Sequence, residues 1–151
     1  NDPFRLRIAS VIQQQLAQVG IDLDLRSYDW GTFYGDIKDG RFQLFSLSWI
    51  GIKMPDIYHY AFHSDSLPPN GANRGRLKNP QIDTLIKQAE EATTLAEQAT
   101  RYHQLQNLLF QELPYVPLWY EDNVLVIRQL VKGYTLAPDG NYDGLIQVRK
   151  E

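Results

Sequence analysis

His59 and His63 stand four apart in His-Tyr-Ala-Phe-His, so one helical face can present both imidazoles to a metal ion. Zinc asks for a third ligand, and no Glu follows the first histidine in the H-E-x-x-H order. The plainer reading is a pair of half-exposed histidines on a short helix. A nucleophilic triad needs a base beside an activated Ser, Thr or Cys. The chain has 3 His, none near a G-x-S-x-G turn, and no cysteine at all. Gly31, Gly35 and Gly40 are not followed by the Lys-Ser/Thr that ends a phosphate-binding loop. The carboxylates Asp22 and Asp24 alternate with Ile21, Leu23 and Leu25, which puts them on the solvent side of a strand. Glu90 and Glu91 fall late in a helix. The residues therefore argue for no enzyme, no metal and no cofactor.

What remains is aromatic: Trp30, Trp49, Tyr58, Tyr60, Trp119 and Tyr120. The stretch from Ser46 to Tyr58 (SLSWIGIKMPDIY) begins as a buried strand, ends at a helix start and carries almost no charge between. Core packing explains any one of these rings. The set, gathered where strands end, reads as a binding surface, because ligands of open α/β sheets sit beyond the carboxyl ends of the strands.

The elements that position these rings follow from local patterning. Asp2-Pro3 opens a helix as cap and first residue, and Phe4, Ile8, Val11, Ile12, Leu16 and Val19 repeat at helical spacing up to Gly20. A half-buried strand is expected over 21–26. Asp29 caps a short helix that carries Trp30, Phe33, Tyr34 and Ile37 and closes at Gly40, and a second strand spans 42–49. Asp56 is placed to cap a helix beginning at Ile57. Residues 63–78 read as a polar loop, with Arg74, Arg76 and Lys78 solvated. Asn79-Pro80 starts a helix striped by Ile82, Leu85, Ile86 and Ala89. A longer one spans roughly 95–113, with Tyr102, Leu105, Leu108, Leu109 and Leu113 inward. Residues 115–120 and 124–127 flank Glu121-Asp-Asn123 as a hairpin, and 145–148 form a last strand. Helix–strand alternation with short connections implies an α/β chain with crossover units.

At 151 residues the chain reads as a single domain, 1–151. A net charge of −3 argues against a nucleic-acid partner. No apolar run approaches the about 20 residues of a membrane span. Asn1-Asp-Pro-Phe4 does not look like a signal peptide, and a sheet domain entered through a helix reads as a piece cut from a longer chain.

Several runs together resemble one family. These are Ile8 through Gly20-Ile21 to Leu25; Trp30-Gly-Thr-Phe33 with Gly40-Arg-Phe-Gln-Leu44 and Trp49; and Asn79-Pro-Gln-Ile-Asp-Thr-Leu-Ile86. Arg101 to Leu109, Pro114-Tyr-Val-Pro-Leu-Trp-Tyr120 and Val131-Lys-Gly-Tyr134 follow in order. The chain resembles the C-terminal lobe of the extracytoplasmic solute-binding proteins of family 5, the oligopeptide/dipeptide/nickel class that serves ABC importers. The resemblance implies one lobe of a type II periplasmic-binding-protein (Venus-flytrap) fold, with a mixed sheet, flanking helices and a first strand lying before Asn1. It implies capture of an oligopeptide or related solute between two lobes, and delivery to the transmembrane subunits of a permease. The partners would be that solute, the permease and the missing N-terminal lobe. The location would be periplasmic, or lipid-anchored on the outer face. In peptide-binding members the segment around the tryptophan lines the cleft and its main chain pairs with the ligand as an added strand. Carried over, this puts Ser48, Trp49 and Ile50 beside ligand and makes Trp30 a wall.

The chain departs from the family at the charged anchors. Peptide binders place an aspartate three residues after that tryptophan for the ligand's ammonium; here it is Ile52. Some carry an arginine three residues before it; here it is Ser46. Asp56 substitutes only if the loop folds back, and otherwise caps its helix. Glu121 stands where some members have a pocket tyrosine. Either the other lobe supplies the amine anchor or the ligand has no free amine. Nickel or metal-chelate capture, sugar capture, and use as the sensor of a receptor or fused regulator remain as alternatives.

Overall fold

The computed structural model describes residues 2–151. They divide into two compact units, one running up to Phe45 and the other spanning Ser46–Glu151, with the division inside the 42–49 segment.

In the first unit, helix α1 spans Pro3–Ala17 and α2 spans Trp30–Asp39. Their ends obey local chemistry. The Asp2 carboxylate accepts the Phe4 N–H at 2.9 Å, and that of Asp29 accepts the Thr32 N–H at 3.1 Å and the Thr32 hydroxyl at 2.7 Å. Gly40 ends α2 with φ +75°, a left-handed conformation that costs glycine nothing. Ile37 is buried. Leu23 and Leu25 are half-buried and Asp22, Asp24 and Arg26 exposed, but Ile21, expected on the same face as the leucines, is 50% exposed. The Gln13 side chain donates to the Leu23 carbonyl and ties α1 to this segment.

The second unit holds α3 (Ile57–Phe62), α4 (Pro80–Glu90) and α5 (Leu95–Glu112). Asn79 caps α4 and Thr94 caps α5 through side-chain oxygens. Ile82, Ile86 and Ala89 of α4 meet Tyr102 and Leu105 of α5 in the core, with Tyr58, Phe62, Leu77, Leu85, Leu108 and Leu109 packed around it. Leu113 does not join them: it is 50% exposed, because α5 ends at Glu112 and Leu113 turns into the left-handed region at φ +46°.

The sheet differs from expectation. Among the described residues the one ladder is antiparallel, β1 (Val131–Lys132) with β2 (Arg149–Lys150). Residues 21–26, 42–49, 115–120 and 124–127 carry no ladder, and 143–147 form a 3-10 helix where a strand was expected over 145–148. The apolar patterning of these segments is real, yet a strand exists only once a neighbour accepts its main-chain bonds. Leu44, Tyr120, Val126 and Ile146 are correspondingly exposed, at 70–99%. No described helix is long and apolar enough to cross a membrane.

Candidate functional site

The Trp49 loop is built by Gly51. Its φ of +72° bends the chain directly after Trp49-Ile50, and a side chain there would be strained. Lys53 then anchors the loop, its ammonium 3.0 Å from the Asp143 carboxylate and 4.0 Å from that of Asp139. The hydrogen bond to Asp143 holds this ammonium above the ordinary lysine range. At the far end of the loop the chain enters α3 at Asp56. That residue occupies the cap position in helical conformation, and its carboxylate makes no cap bond. The expectation that Asp56 caps the helix therefore fails at the side chain, because φ −55° and ψ −21° are not the extended angles a cap takes.

Trp49 stands over this loop, 36% exposed. The edge of its ring meets Tyr60 with centroids 6.2 Å apart and planes at 70°. The guanidinium carbon of Arg74 lies 5.0 Å from the ring centroid. Of the three cations expected to be solvated, Arg76 and Lys78 are exposed, but Arg74 is only 9% exposed and corrects the reading at that position. The reason lies next door, in Asn73, whose amide donates to the carbonyls of His63 and Leu77 and whose oxygen accepts the Leu77 N–H at 2.8 Å. These bonds, with Ala72 N–H donating to the Tyr60 carbonyl, fold 72–74 under α3. Tyr115 closes the cluster. Its hydroxyl donates to the Ala72 carbonyl at 3.3 Å, and its ring packs on Phe62 with centroids 5.0 Å apart. Burial pushes the Tyr115 phenol up from its ordinary value, while the positive charge of Arg74 pulls it back.

The remaining candidates distribute as follows. Ser46 is exposed and Ser48 half-buried; Ile50 projects at 86% exposure, and Ile52 is 43% exposed. Glu121 lies in the exposed 116–128 segment. Trp30 belongs to the first unit, 64% exposed, stacked on Tyr34 with centroids 5.2 Å apart. Around Tyr60 an open pocket of about 410 Å³ is lined by Asp56, His59, Asp65 and Glu90 among others. Asp56 thus shares Tyr60 with Trp49 as a common neighbour. His59 and His63 do stack on one face, with centroids 4.4 Å apart, but the His59 ring is engaged by Glu90 at 2.9 Å. No group of three or more His, Asp or Glu among the described residues is placed to hold a metal ion. Sequence reasoning missed Arg74 as a partner of Trp49; the one clue was Asn73 immediately before it.

The glycine-bent loop thus carries an indole braced by Tyr60 and Arg74 and 36% exposed. Residues 1–69 match the family model of the bacterial extracellular solute-binding proteins, family 5 Middle. The chain is 32% identical to di/tripeptide-binding protein 4 of Pseudomonas aeruginosa over 88% of its own length and 25% of that protein. It is likewise 32% identical to the dipeptide-binding protein DppE of Bacillus subtilis, over 93% of its length and 26% of that protein. It superposes on the oligopeptide-binding protein AppA of Bacillus subtilis, solved with a nonapeptide, with a TM-score of 0.83 at 23% identity. That match covers 97% of this chain and 29% of AppA, and establishes the fold: α/β, part of a lobe of the type II periplasmic-binding architecture. The chain spans about a quarter of the curated relatives it matches. By its matched residues 1–69, its curated relatives and its fold, the chain is similar to family 5 of the bacterial extracellular solute-binding proteins.

Proposed function

We propose that this chain is the C-terminal ligand-binding lobe of the solute-binding component of an ABC importer. It captures a peptide or related small solute in a cleft between two lobes and delivers it to the permease. It works outside the membrane, periplasmic or lipid-anchored, and catalyses nothing. The observation that carries the reading is Trp49, held by Tyr60 and Arg74 on a glycine-bent loop yet leaving a third of its surface open. Relatives named for dipeptides and tripeptides give the ligand class. Ser48, Trp49 and Ile50 provide the peptide-facing stretch, with Ser46, Ile52, Asp56 and Glu121 around it. Trp30 offers a separate solute-facing ring. Recognition through main-chain groups and an aromatic wall is tolerant of side-chain identity, which suits a carrier of many peptides.

Native mass spectrometry of the longer polypeptide carrying this chain, purified from its own cells, tests the reading: a retained peptide mass is expected. Trp49→Ala in that polypeptide should weaken peptide binding about 10- to 100-fold, the range of a truncated aromatic anchor, with its unfolding midpoint retained. Unchanged affinity removes Trp49 from the cleft.

A further inference from the structure

Resting on the peptide-capture reading above, we propose that Lys53 is a positioning residue for capture: clasped by the turn at 139–143, its ammonium fixes the main chain of Ile50–Ile52 where the solute is met.

The bend after Trp49 is held at both ends and bare between them. At one end the Trp49 ring is braced by Tyr60 and Arg74. At the other the Pro55 carbonyl accepts the Tyr58 N–H at 3.1 Å, where α3 begins. Ile50, Gly51, Ile52 and Met54 are all exposed, and a Cβ placed on Gly51 would meet nothing within 4 Å. Among the described residues the Lys53 ammonium makes the one polar tie between Ile50 and Met54, and it reaches 90 residues along the chain to Asp143. A bend with few contacts and one tie is ordered only as far as that tie holds.

The receiving turn is ordered by its own bonds. The Asn141 amide donates to the Asp139 carboxylate at 2.6 Å, and the Asn141 side-chain oxygen accepts the Asp143 N–H at 2.7 Å. The Asn123 amide donates to the Pro138 carbonyl at 2.9 Å, and Gly140 lies so close that a Cβ there would come 2.6 Å from the Asn123 side-chain oxygen. The turn so built presents two carboxylates to one ammonium, Asp143 at 3.0 Å and Asp139 at 4.0 Å. Asp139 is held below the usual carboxylate range by Asn141 first, with Lys53 among the smaller causes. One partner is thus fixed in advance, and the freedom lost when the clasp forms is that of the lysine and its bend. The pair is solvent-exposed, so it adds little to the stability of the unit as a whole. Its effect falls on the bend. A main chain that pairs with an extended peptide must hold its N–H and C=O groups in line, and without the clasp, binding itself must order them.

Nitrogen-15 relaxation of the 151-residue chain reads the clasp without any ligand. Order parameters of the Gly51, Ile52 and Lys53 amides should be about 0.8 or above in the parent and about 0.6 or below in Lys53→Gln and in Asp143→Asn, and Lys53→Arg should keep the parent values. The denaturation midpoint should stay that of the parent in all three variants, which separates a loosened bend from a loosened fold. Order parameters that Lys53→Gln leaves unchanged, or that are already low in the parent, overturn the proposal.

Capture is read with trialanine titrated into the longer polypeptide. Lys53→Gln and Asp143→Asn should each weaken binding about two- to fivefold, the range of an exposed ion pair, and Lys53→Arg should rescue it to within about 1.5-fold of the parent. Because the two residues act through one contact, the double variant should lose no more than either single one. Parent affinity in both single variants, or losses that multiply in the double variant, overturn the proposal. Failure of trialanine to bind the parent polypeptide overturns the peptide-capture reading, and the order parameters then decide by themselves whether Lys53 fixes the bend.

Discussion

At the scale of the residue, the second unit depends on a few polar side chains that do main-chain work. Asn73 is 2% exposed and satisfies three backbone groups, of His63 and Leu77. Asn73→Ala leaves those groups buried without partners, and chemical denaturation should show a loss of about 1–3 kcal/mol. Because the same bonds tuck Arg74 beneath α3, the variant should also increase exposure of the Arg74 side chain, readable as faster modification by an arginine reagent. Asp29 is a different case, an exposed cap whose carboxylate is held below the usual range chiefly by the Thr32 hydroxyl, then by backbone N–H groups. A lowered folded-state value means its charge contributes to stability above the ordinary carboxylate range, and that contribution is lost as pH falls through the lowered value. Asn caps a helix as well as Asp does, so Asp29→Asn removes the charge alone. The variant should unfold earlier than the parent near neutral pH, and the gap should close as the solution is acidified. A gap independent of pH would contradict the assigned shift. Asp29 was legible as a cap from sequence, since a cap bond spans three residues. Arg74 was not legible, because an arginine in a Gly/Pro-rich stretch reads as solvated until Asn73 is seen folding the chain back.

At the scale of the element, α4 and α5 form the one extensive helix pair among the described residues, and Leu105 lies at its centre with no exposed surface. Leu105→Ala removes its side chain from a packed site and should cost about 2–5 kcal/mol. That loss should appear as a lower denaturant midpoint with an unchanged slope. The helices were readable because their evidence is local: Asp2-Pro3, Asn79-Pro80 and Gly40 mark ends, and the 3.6-residue stripe of Ile82, Ile86 and Ala89 marks the buried face. Leu113 shows the limit of the stripe, since it continues the spacing while the helix has already turned away. The strands were readable as apolar segments and not as a sheet. Segments 42–49 and 115–127 alternate or run apolar as strands do, yet their partners depend on chain brought from a distance.

At the scale of the whole molecule, the chain accounts for about a quarter of the relatives it matches while being matched over 88–93% of its own length. If the solute sits between lobes, these 151 residues hold one side of it. The isolated chain should therefore bind di- and tripeptides weakly or not at all in isothermal titration. Affinity at about micromolar Kd or better from this piece would contradict the two-lobed reading. The exposed apolar segments follow the same logic. Tyr120 at 99%, Val126 at 90% and Ile146 at 89% have the composition of buried strands and the surroundings of loops.

The sequence by itself determined the helices, the caps at Asp2, Asp29 and Asn79, the bend at Gly40 and the absence of a charged anchor at position 52, because each is settled within a few residues along the chain. Only the tertiary structure decided that Arg74 is buried against the indole, that Tyr60 braces its edge, and that Asp56 does not cap α3. Those outcomes depend on which distant backbone groups a side chain reaches, and contacts between residues 25 apart, as between Trp49 and Arg74, leave no period in a sequence to be read.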